Sequence, residues 1–258
     1  MSVLLCVVVE VQGVTLSHDV VYIVCRSSAA IRTFSATTQR RLTDINVKDM
    51  RRPQDIAACE SQLYITDNWE CIWRVSSKGK DIKRCWTKSP SDRFQPEGLS
   101  ATSSHILVTS RVTDELMQLD AAGEERRRLP LPDYMKPWHA VESATGTFVV
   151  CHYNTQLKQC QVSEVNTEGE VLRQFSGSLS LTQHIAVDSH GNILVADERN
   201  RRILLLDAHL ALRRVIIHER QLNYKPPWRL CYNEQSGQLL VGFAYSGGIV
   251  VVFNVLQQ

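Results

Sequence analysis

The stretch Val11-Gln-Gly-Val-Thr-Leu-Ser-His-Asp-Val-Val-Tyr-Ile-Val24 aligns without a gap on Pro53-Gln-Asp-Ile-Ala-Ala-Cys-Glu-Ser-Gln-Leu-Tyr-Ile-Thr66. The same opening returns at Pro96, Pro137, Thr182 and Pro227, so that six repeats begin 41 to 45 residues apart. A fixed period of this length indicates one supersecondary unit per repeat, and each unit needs its neighbours to bury its apolar face. The repeats fill the 258 residues and leave no room for a second core.

The fifth repeat shows how one unit is expected to fold. Short apolar runs at 184–188, 193–196, 203–206 and 213–217 are separated by polar turns, which predicts four strands. Gly191 lies in the first turn, where a residue that tolerates positive φ is needed. Four short strands at this period are typical of a propeller blade, and no segment has the apolar spacing of an amphipathic helix.

We therefore predict an all-β fold: a single six-bladed β-propeller over residues 1–258 with four-stranded antiparallel blades. The blades are expected to begin near residues 11, 53, 96, 137, 182 and 227. The last repeat holds only three predicted strands. The apolar run Val3–Val9 is predicted to complete the sixth blade, because pairing the two ends closes the ring and removes two exposed strand edges.

The segment Ile185–Asp207 (IAVDSHGNILVADERNRRILLLD) resembles the repeat of NHL-type β-propellers. Repeat two resembles it recognisably over Gln54–Asp67, whereas the other four repeats are degenerate. The NHL family includes the C-terminal domains of tripartite-motif proteins. The resemblance therefore implies RNA or protein binding, and a place as the substrate-recognition part of a ubiquitin-ligase system. No RING, B-box or coiled-coil segment is recognisable in these residues, so ligase chemistry itself is not expected here.

Related six-bladed propellers include enzymes, namely the peptidyl-amidating lyases and lactonases that hold a metal in the channel. Two function classes consequently remain open for this chain. The first is a non-catalytic binding platform, and the second is a metal-dependent lyase or lactonase-type enzyme with a site at the channel mouth.

Cysteine usage indicates a reducing compartment. The eight cysteines are scattered over the repeats without a Cys-x-x-Cys pair, mostly inside apolar runs, which is typical of buried free thiols. The sequence contains no Asn-x-Ser/Thr acceptor. We therefore expect a cytoplasmic protein with no membrane partner and no cofactor.

Two sets of loops are expected on one face of the propeller, which we term the leading-loop face. The leading loops, which enter the first strand of a blade, carry Arg51, Arg52, Arg93, Phe94, Tyr134, Lys136, Trp138, Tyr224, Lys225, Trp228 and Arg229. The second loops, which join the second and third strands, carry Arg26, Trp69, Arg111, Tyr153, Arg199, Arg201 and Tyr245. The formal net charge is only +2, so this face would concentrate the basic character.

A basic and aromatic face fits two kinds of partner. Single-stranded RNA would place its phosphates on arginine and lysine and stack its bases on aromatic rings. A protein partner is anchored by the same residue types. Trp138 and Trp228 have a structural alternative, since equivalent positions in two repeats also suit side chains packed between blades. Arg202 is predicted to be structural and paired with Asp197 or with a neighbouring blade.

His139 and His184 occupy the same position in adjacent repeats and are the metal-ligand candidates. The matching positions in the other repeats are Gly13, Asp55, Gly98 and Arg229. Zinc needs three protein ligands, and Asp55 would have to reach across two blades. As the resemblance implies, the ligand histidines of amidating lyases directly follow the proline, where this chain has Gln12, Gln54, Glu97, Trp138, Gln183 and Trp228. That pattern is not met, and we predict no catalytic residue and no bound metal.

Overall fold

The structure is a computed structural model that describes residues 2–5, 10–243 and 248–255. These residues form six separate four-stranded antiparallel sheets arranged in a ring, which confirms the predicted six-bladed β-propeller. Neither an α-helix nor a 3₁₀-helix occurs within these ranges. Accordingly, the described chain has no helix with the length and apolar character that a membrane crossing requires.

The first three blades follow one another along the chain. Blade one consists of β2 (Val11–Ser17), β3 (Val20–Cys25), β4 (Ala30–Ser35) and β5 (Ile45–Asn46). Blade two consists of β6 (Pro53–Cys59), β7 (Gln62–Asp67), β8 (Cys71–Ser76) and β9 (Ile82–Thr87). Blade three consists of β10 (Leu99–Ala101), β11 (His105–Ser110), β12 (Glu115–Asp120) and β13 (Glu125–Pro130).

Blades four to six complete the ring. Blade four consists of β14 (Met135–Glu142), β15 (Phe148–Asn154), β16 (Gln159–Val165) and β17 (Val171–Gln174). Blade five consists of β18 (Thr182–Val187), β19 (Ile193–Asp197), β20 (Arg202–Leu206) and β21 (Leu212–Ile217). Blade six consists of β22 (Pro227–Asn233), β23 (Gln238–Phe243), β24 (Ile249–Asn254) and, from the other end of the chain, β1 (Ser2–Leu5).

The two chain ends meet in blade six, as the apolar start of the sequence predicted. Strand β1 pairs antiparallel with β24 in a register that places Ser2 opposite Val252 and Leu5 opposite Ile249. The predicted continuation of this strand at 6–9 lies outside the described residues. A ring closed in this way is held by main-chain hydrogen bonds between the first and last strands, so the last blade gains its fourth strand.

The apolar core is divided among the six gaps between blades. Each of six buried clusters combines residues from two neighbouring sheets, for example Val149 and Val162 of blade four with Ile185 and Val195 of blade five. A strand buried on both faces reads as a continuous apolar run, which explains stretches such as 193–196. The seven described cysteines are free, and most of them are buried in this core, in agreement with the prediction.

The first strand of each blade packs against the first strand of the next, and these strands surround the central channel. In five blades this strand has a bulge close to its start, for example between Pro53 and Asp55 and between Pro227 and Arg229. A bulge places an extra residue in one strand and redirects the side chains beside it. The residues at or next to the bulges consequently point into the channel.

Candidate functional site

In the blades whose loops the structure describes, the leading loop and the second loop lie at the same end. In blade two the amide of Asn68 donates to the carbonyl of Arg52 at 3.0 Å, and in blade four the amide of Thr155 donates to the carbonyl of Tyr134 at 2.9 Å. Because the six sheets form a closed ring, these blade ends lie on one face. The described leading loops and second loops therefore share one face of the propeller.

A buried aspartate fixes the leading loop of blade two. The carboxylate of Asp67 accepts the amides of Arg51 at 3.0 Å and Arg52 at 2.6 Å, and it also accepts the indole N–H of Trp73. Asp67 is only 2% exposed. With its main chain held in this way, the loop directs the side chains of Arg51 and Arg52 into solvent.

The equivalent aspartate in blade five also holds the main chain of its leading loop. Asp197 accepts the amide of Ser180 at 2.8 Å and the Nε of Arg202 at 2.7 Å, and its side chain is fully buried. The predicted structural role of Arg202 is confirmed. Its sequence neighbours Arg199 and Arg201 are exposed on the leading-loop face.

The candidates on this face differ in exposure. Those that are exposed are Arg26, Arg51, Arg52, Arg93, Tyr153, Arg199, Arg201 and Tyr224. Those that are half-buried are Trp69, Arg111, Tyr134, Lys136, Trp138, Lys225 and Trp228. Tyr245 lies outside the described residues.

Two expectations about this face are wrong. Phe94 is fully buried and packs edge-on against Trp86 with ring centroids 5.8 Å apart, so it belongs to the core between blades two and three. Arg229 is 9% exposed and lies in the channel, because the bulge at the start of β22 turns its side chain inward. Neither residue offers its side chain to a partner on the face.

Several basic side chains are already neutralised within the protein. Arg111 donates to Glu97 at 2.8 Å and also lies 3.6 Å above the ring of Trp138. Lys136 pairs with Asp114 at 2.5 Å. These contacts support the structural alternative for Trp138, whose ring packs against the core between blades four and five.

The other paired side chains lie on blades one and two. Arg26 pairs with Glu10 at 3.1 Å. The guanidinium of Arg52 lies 4.6 Å above the ring of Trp69, so that ring is covered on one side by a cation. Exposed cation–π contacts of this kind contribute about 0.5–1 kcal/mol.

The channel contains a second group of functional side chains, which we term the channel cluster: Asp55, His139, His184 and Arg229. They come from four different blades, and each is at least nine-tenths buried. The Oδ2 of Asp55 lies 4.0 Å from the Nε2 of His139 and 3.8 Å from the Nε2 of His184. The two imidazole rings stack with centroids 3.8 Å apart.

The channel cluster fits together because the two remaining blades contribute glycines. A Cβ on Gly13 would lie 2.8 Å from the Oδ1 of Asp55, and a Cβ on Gly98 would lie 2.4 Å from the carbonyl oxygen of Trp138. Side chains at these two positions would displace the cluster. The equivalence of the six positions was visible in the sequence, and the structure shows that Asp55 does reach across the channel.

Main-chain groups form hydrogen bonds with both the carboxylate of Asp55 and the guanidinium of Arg229 in the channel cluster. Asp55 accepts the amide of Ile56 on Oδ1 at 2.9 Å and the amide of Leu99 on Oδ2 at 3.0 Å. Arg229 donates to the carbonyls of Gln12 and Gln54, and its Nε lies 3.9 Å from the Oδ1 of Asp55. Burial raises the pKa of Asp55 to about 6, against the opposing charge of Arg229.

The histidines of the channel cluster are held neutral. Burial lowers the pKa of His139 to about 3, although the hydrogen bond from its Nε2 to the carbonyl of Leu99, 2.8 Å long, acts in the opposite direction. Burial also lowers the pKa of His184 far below its usual value, and the neighbouring His139 adds to that effect. An imidazole that stays neutral keeps a lone pair, which is the form that binds a metal.

Two acidic residues near the channel mouth were missed by the sequence analysis. Burial raises the pKa of Glu198 to about 7, and its nearest hydrogen-bond partner is the amide of Gln183 at 3.4 Å. Burial also raises the pKa of Glu97, which Arg111 opposes. The only signal for Glu97 was its place directly after a repeat-opening proline.

Comparison with known proteins supports the architecture. No protein-family model matches the chain, and no curated relative is found by sequence. Among solved structures, a streptogramin B lyase aligns with a TM-score of 0.72 at 12% identity, covering 98% of this chain and 96% of that one. The virginiamycin B lyase of Staphylococcus aureus aligns with a TM-score of 0.68 at 13% identity over 100% and 89%.

A propeller of the WD40 class is also similar. The WD40 β-propeller domain of Doa1 aligns with a TM-score of 0.68 at 15% identity, covering 98% of this chain and 95% of that one. Identities this low show a shared propeller fold alone. The NHL resemblance and the link to tripartite-motif proteins remain predictions from the sequence.

Proposed function

We propose that this propeller is a non-catalytic binding platform that recognises an acidic stretch of a partner protein through its leading-loop face. Six of the arginines predicted for that face are exposed, and Arg26 pairs with Glu10. The observation that carries the proposal is the set of the other five: Arg51, Arg52, Arg93, Arg199 and Arg201. None of them forms an ion pair with any residue that the structure describes. Arginine pairs with carboxylates through two parallel hydrogen bonds, which favours ordered recognition of an acidic chain.

The aromatic residues favour a protein over single-stranded RNA. Base stacking needs an exposed aromatic face. The rings of Trp69 and Trp138 are half-buried, and each carries a guanidinium on one side. Among the described residues of this face, the exposed rings are the tyrosines Tyr153 and Tyr224, a residue type enriched at protein interfaces.

The burial of the channel cluster supports a platform without catalysis. Asp55 is 1% exposed and His139 is 2% exposed, whereas the exposed arginines reach solvent directly. The exposed arginines are therefore in direct reach of a macromolecular partner, whereas the channel cluster offers almost no exposed surface.

Charge reversal tests the proposal. Fluorescence anisotropy would compare a labelled poly-glutamate peptide with an oligo-uridine RNA of equal charge at physiological salt. The wild type is expected to bind the peptide more tightly than the RNA. Changing the five exposed arginines to glutamate is expected to weaken peptide binding more than tenfold, because each lost pair removes a charge-assisted contact.

The matched control reverses five exposed basic residues on outer strands and on the opposite face: Arg40, Lys78, Lys80, Lys83 and Arg213. This variant has the same net charge as the first, and it is expected to keep peptide binding. Equal losses in the two variants would mean that only total charge matters. Tighter binding of the RNA by the wild type would replace the protein partner with a nucleic acid.

A further inference from the structure

The acidic partner proposed above accounts for the exposed arginines of the leading-loop face but not for its exposed apolar side chains. Val112 is 43% exposed, Tyr153 36% and Leu157 59%. These three residues, which we term the apolar row, lie in or directly before the second loops of blades three and four. A single exposed apolar residue is common on a protein surface, so the question is whether the three are neighbours.

One ion pair connects Val112 with Tyr153. Tyr153 of β15 lies opposite Lys136 of β14 in the sheet of blade four. The Nζ of Lys136 reaches the Oδ2 of Asp114 at 2.5 Å, and Asp114 is two residues from Val112 in the second loop of blade three. The second loops of blades three and four are therefore adjacent, and the contact between them has no net charge.

Leu157 lies on a turn that the fold holds in place. The buried side chain of Asn154 accepts the amides of Gln156 at 3.0 Å and Leu157 at 2.9 Å, and it donates to Gln161 at 2.8 Å. A partner that covers Leu157 therefore does not have to order a loose loop, which reduces the entropic cost of binding.

Arg93 lies beside one end of the apolar row. In the leading loop of blade three, the amide of Gln95 donates to the Oγ of Ser110 at 3.1 Å, and Ser110 is two residues before Val112. Arg93 is exposed and has no ion pair with a described residue. The two exposed arginines of blade two continue this basic side of the face.

The exposed arginines of blade five lie beside the other end. A β-bridge joins Cys160, three residues after Leu157, to Leu179 in the leading loop of blade five. The carbonyl of the next residue, Ser180, accepts the amide of Arg199 at 3.1 Å. The order around the face is therefore basic, apolar and basic, from blades two and three through blade four to blade five.

The middle of this order has no net charge. The charged groups around the apolar row balance in pairs, namely Arg111 with Glu97, Lys136 with Asp114, and exposed Asp133 with exposed Lys158. A partner that is acidic along its whole length would place its central carboxylates against apolar side chains and lose their hydration without gaining a cation. An apolar centre avoids this cost.

We propose that the partner segment consists of two acidic stretches separated by apolar residues. The carboxylates pair with the arginines on the two sides, and the apolar side chains pack on Val112, Tyr153 and Leu157, where contact removes apolar surface from water. This inference rests on the proposed binding function and specifies the sequence pattern which that function selects.

Fluorescence anisotropy with the wild type and three labelled glutamate-rich peptides tests this pattern. The peptides have equal length and equal charge, and they carry three leucines at the centre, three leucines at one end, or three glutamines at the centre. We expect the peptide with central leucines to bind about tenfold more tightly than the peptide with central glutamines, because the leucines lose exposed apolar surface. Leucines at one end should give less than half of this gain.

A double variant tests the apolar row itself. Tyr153→Ser with Leu157→Ser is expected to abolish the gain from central leucines and to leave binding of the glutamine peptide unchanged. Leu172→Ser with Leu212→Ser is the matched control, because these leucines are 50% and 52% exposed on the outer strands β17 and β21. This control should keep the full gain. Changing the five exposed arginines to glutamate should instead weaken the binding of all three peptides.

The outcomes separate this inference from the binding function. Equal affinity of the wild type for the three peptides would overturn the apolar centre and leave acidic recognition intact, whereas binding of none of them would remove both. A gain that persists in the variant at positions 153 and 157, or that is lost in the control, would place the apolar contact elsewhere. Wild-type dimers that the variant at 153 and 157 dissociates, seen by analytical ultracentrifugation, would assign the apolar row to a second copy of this chain.

Discussion

The channel cluster and the leading-loop face are formed by residues that lie close together in the sequence, but the charged side chains of the two regions are in opposite environments. In the channel, Asp55 and His139 are 1% and 2% exposed and contact main-chain groups and one another. On the face, the arginines at 51, 52, 93, 199 and 201 are exposed and have no ion pair with a described residue. Because the channel groups are buried, changing them is expected to affect the stability of the fold. The exposed groups of the face contribute little to stability and are available to a partner.

Blade six shows how small the structural difference between the regions is. Trp228 and Arg229 are adjacent in the chain, and the register shifts between Pro227 and Arg229. Trp228 remains half-buried near the mouth, while Arg229 reaches into the channel. A bulge of one residue therefore decides whether a basic side chain acts in the core or on the surface.

The largest expected effect comes from removing the cation of the channel cluster. Arg229→Met would leave Asp55 buried without a cation within ion-pair distance among the described residues, and it would deprive the carbonyls of Gln12 and Gln54 of a donor. We expect a loss of about 3–5 kcal/mol in the free energy of unfolding, because an uncompensated buried charge is strongly destabilising. Equilibrium unfolding in urea measures this loss.

The double variant Asp55→Asn with Arg229→Met is the control for that experiment. It removes both charges, so it should be more stable than Arg229→Met alone. If Arg229→Met lost less than about 1 kcal/mol, the buried pair would contribute no more than a surface ion pair. The contrast between the channel and the face would then disappear.

A second prediction concerns the dependence of stability on pH. The pKa of His139 is lowered by burial to about 3, so below its unfolded value of about 6.5 the unfolded chain takes up a proton that the folded protein does not. Stability from this group is complete above that value and is lost progressively as the pH falls. Asp55 acts with the opposite sign, because its folded pKa of about 6 lies above the unfolded value.

Replacing His139 with glutamine isolates the histidine, since Asp55 is present in both proteins. Between pH 7 and pH 4 the free energy of unfolding is expected to fall by about 3 kcal/mol more in the wild type than in His139→Gln. Urea unfolding at a series of pH values gives this difference. The variant with five reversed arginines is the control and should show the same pH dependence of unfolding as the wild type. If the free energy of unfolding changed with pH in the same way in the wild type and in His139→Gln, the lowered pKa of His139 would be refuted.

Most of the fold could be predicted from the repeat period, because each blade repeats the same pattern of strands and turns. The positions of Pro53, Thr182 and Pro227 marked the first strands, and the apolar beginning of the chain identified the strand that closes the ring. Gly191 marked a turn that the structure shows at a φ of +77°. Features that recur in several repeats can be recognised in a single sequence because one repeat helps to interpret another.

The channel cluster could be predicted only in part from the alignment of the repeats. The alignment of repeats showed that Asp55, His139 and Arg229 are equivalent, but it did not show which way a bulge turns a side chain. Arg229 was consequently assigned to the face. Phe94 was misplaced because an aromatic residue in a loop can be buried by a neighbouring blade, and that packing between Trp86 and Arg128 has no local signal in the sequence.

A third prediction compares two adjacent arginines at the boundary between the regions. Arg202 donates from Nε to the fully buried Asp197 at 2.7 Å and also donates to the carbonyl of Ser178 at 3.0 Å. We expect Arg202→Gln to lower the free energy of unfolding by about 2 kcal/mol, because a hydrogen bond between charged groups is lost beside a buried carboxylate. Urea unfolding measures it, and the same assay on Asp197→Asn should show a comparable loss if the two residues act together.

The smallest expected effect on stability belongs to the neighbour of Arg202. Arg201 is exposed and forms no ion pair with a described residue, so Arg201→Gln should change the free energy of unfolding by less than about 0.5 kcal/mol. Its effect should instead appear in peptide binding, where loss of one arginine of five is expected to weaken affinity by about threefold to tenfold. A stability loss equal to that of Arg202→Gln, with unchanged peptide binding, would place Arg201 with the structural residues. That result would remove blade five from the proposed interface and leave blades two and three as its basic part.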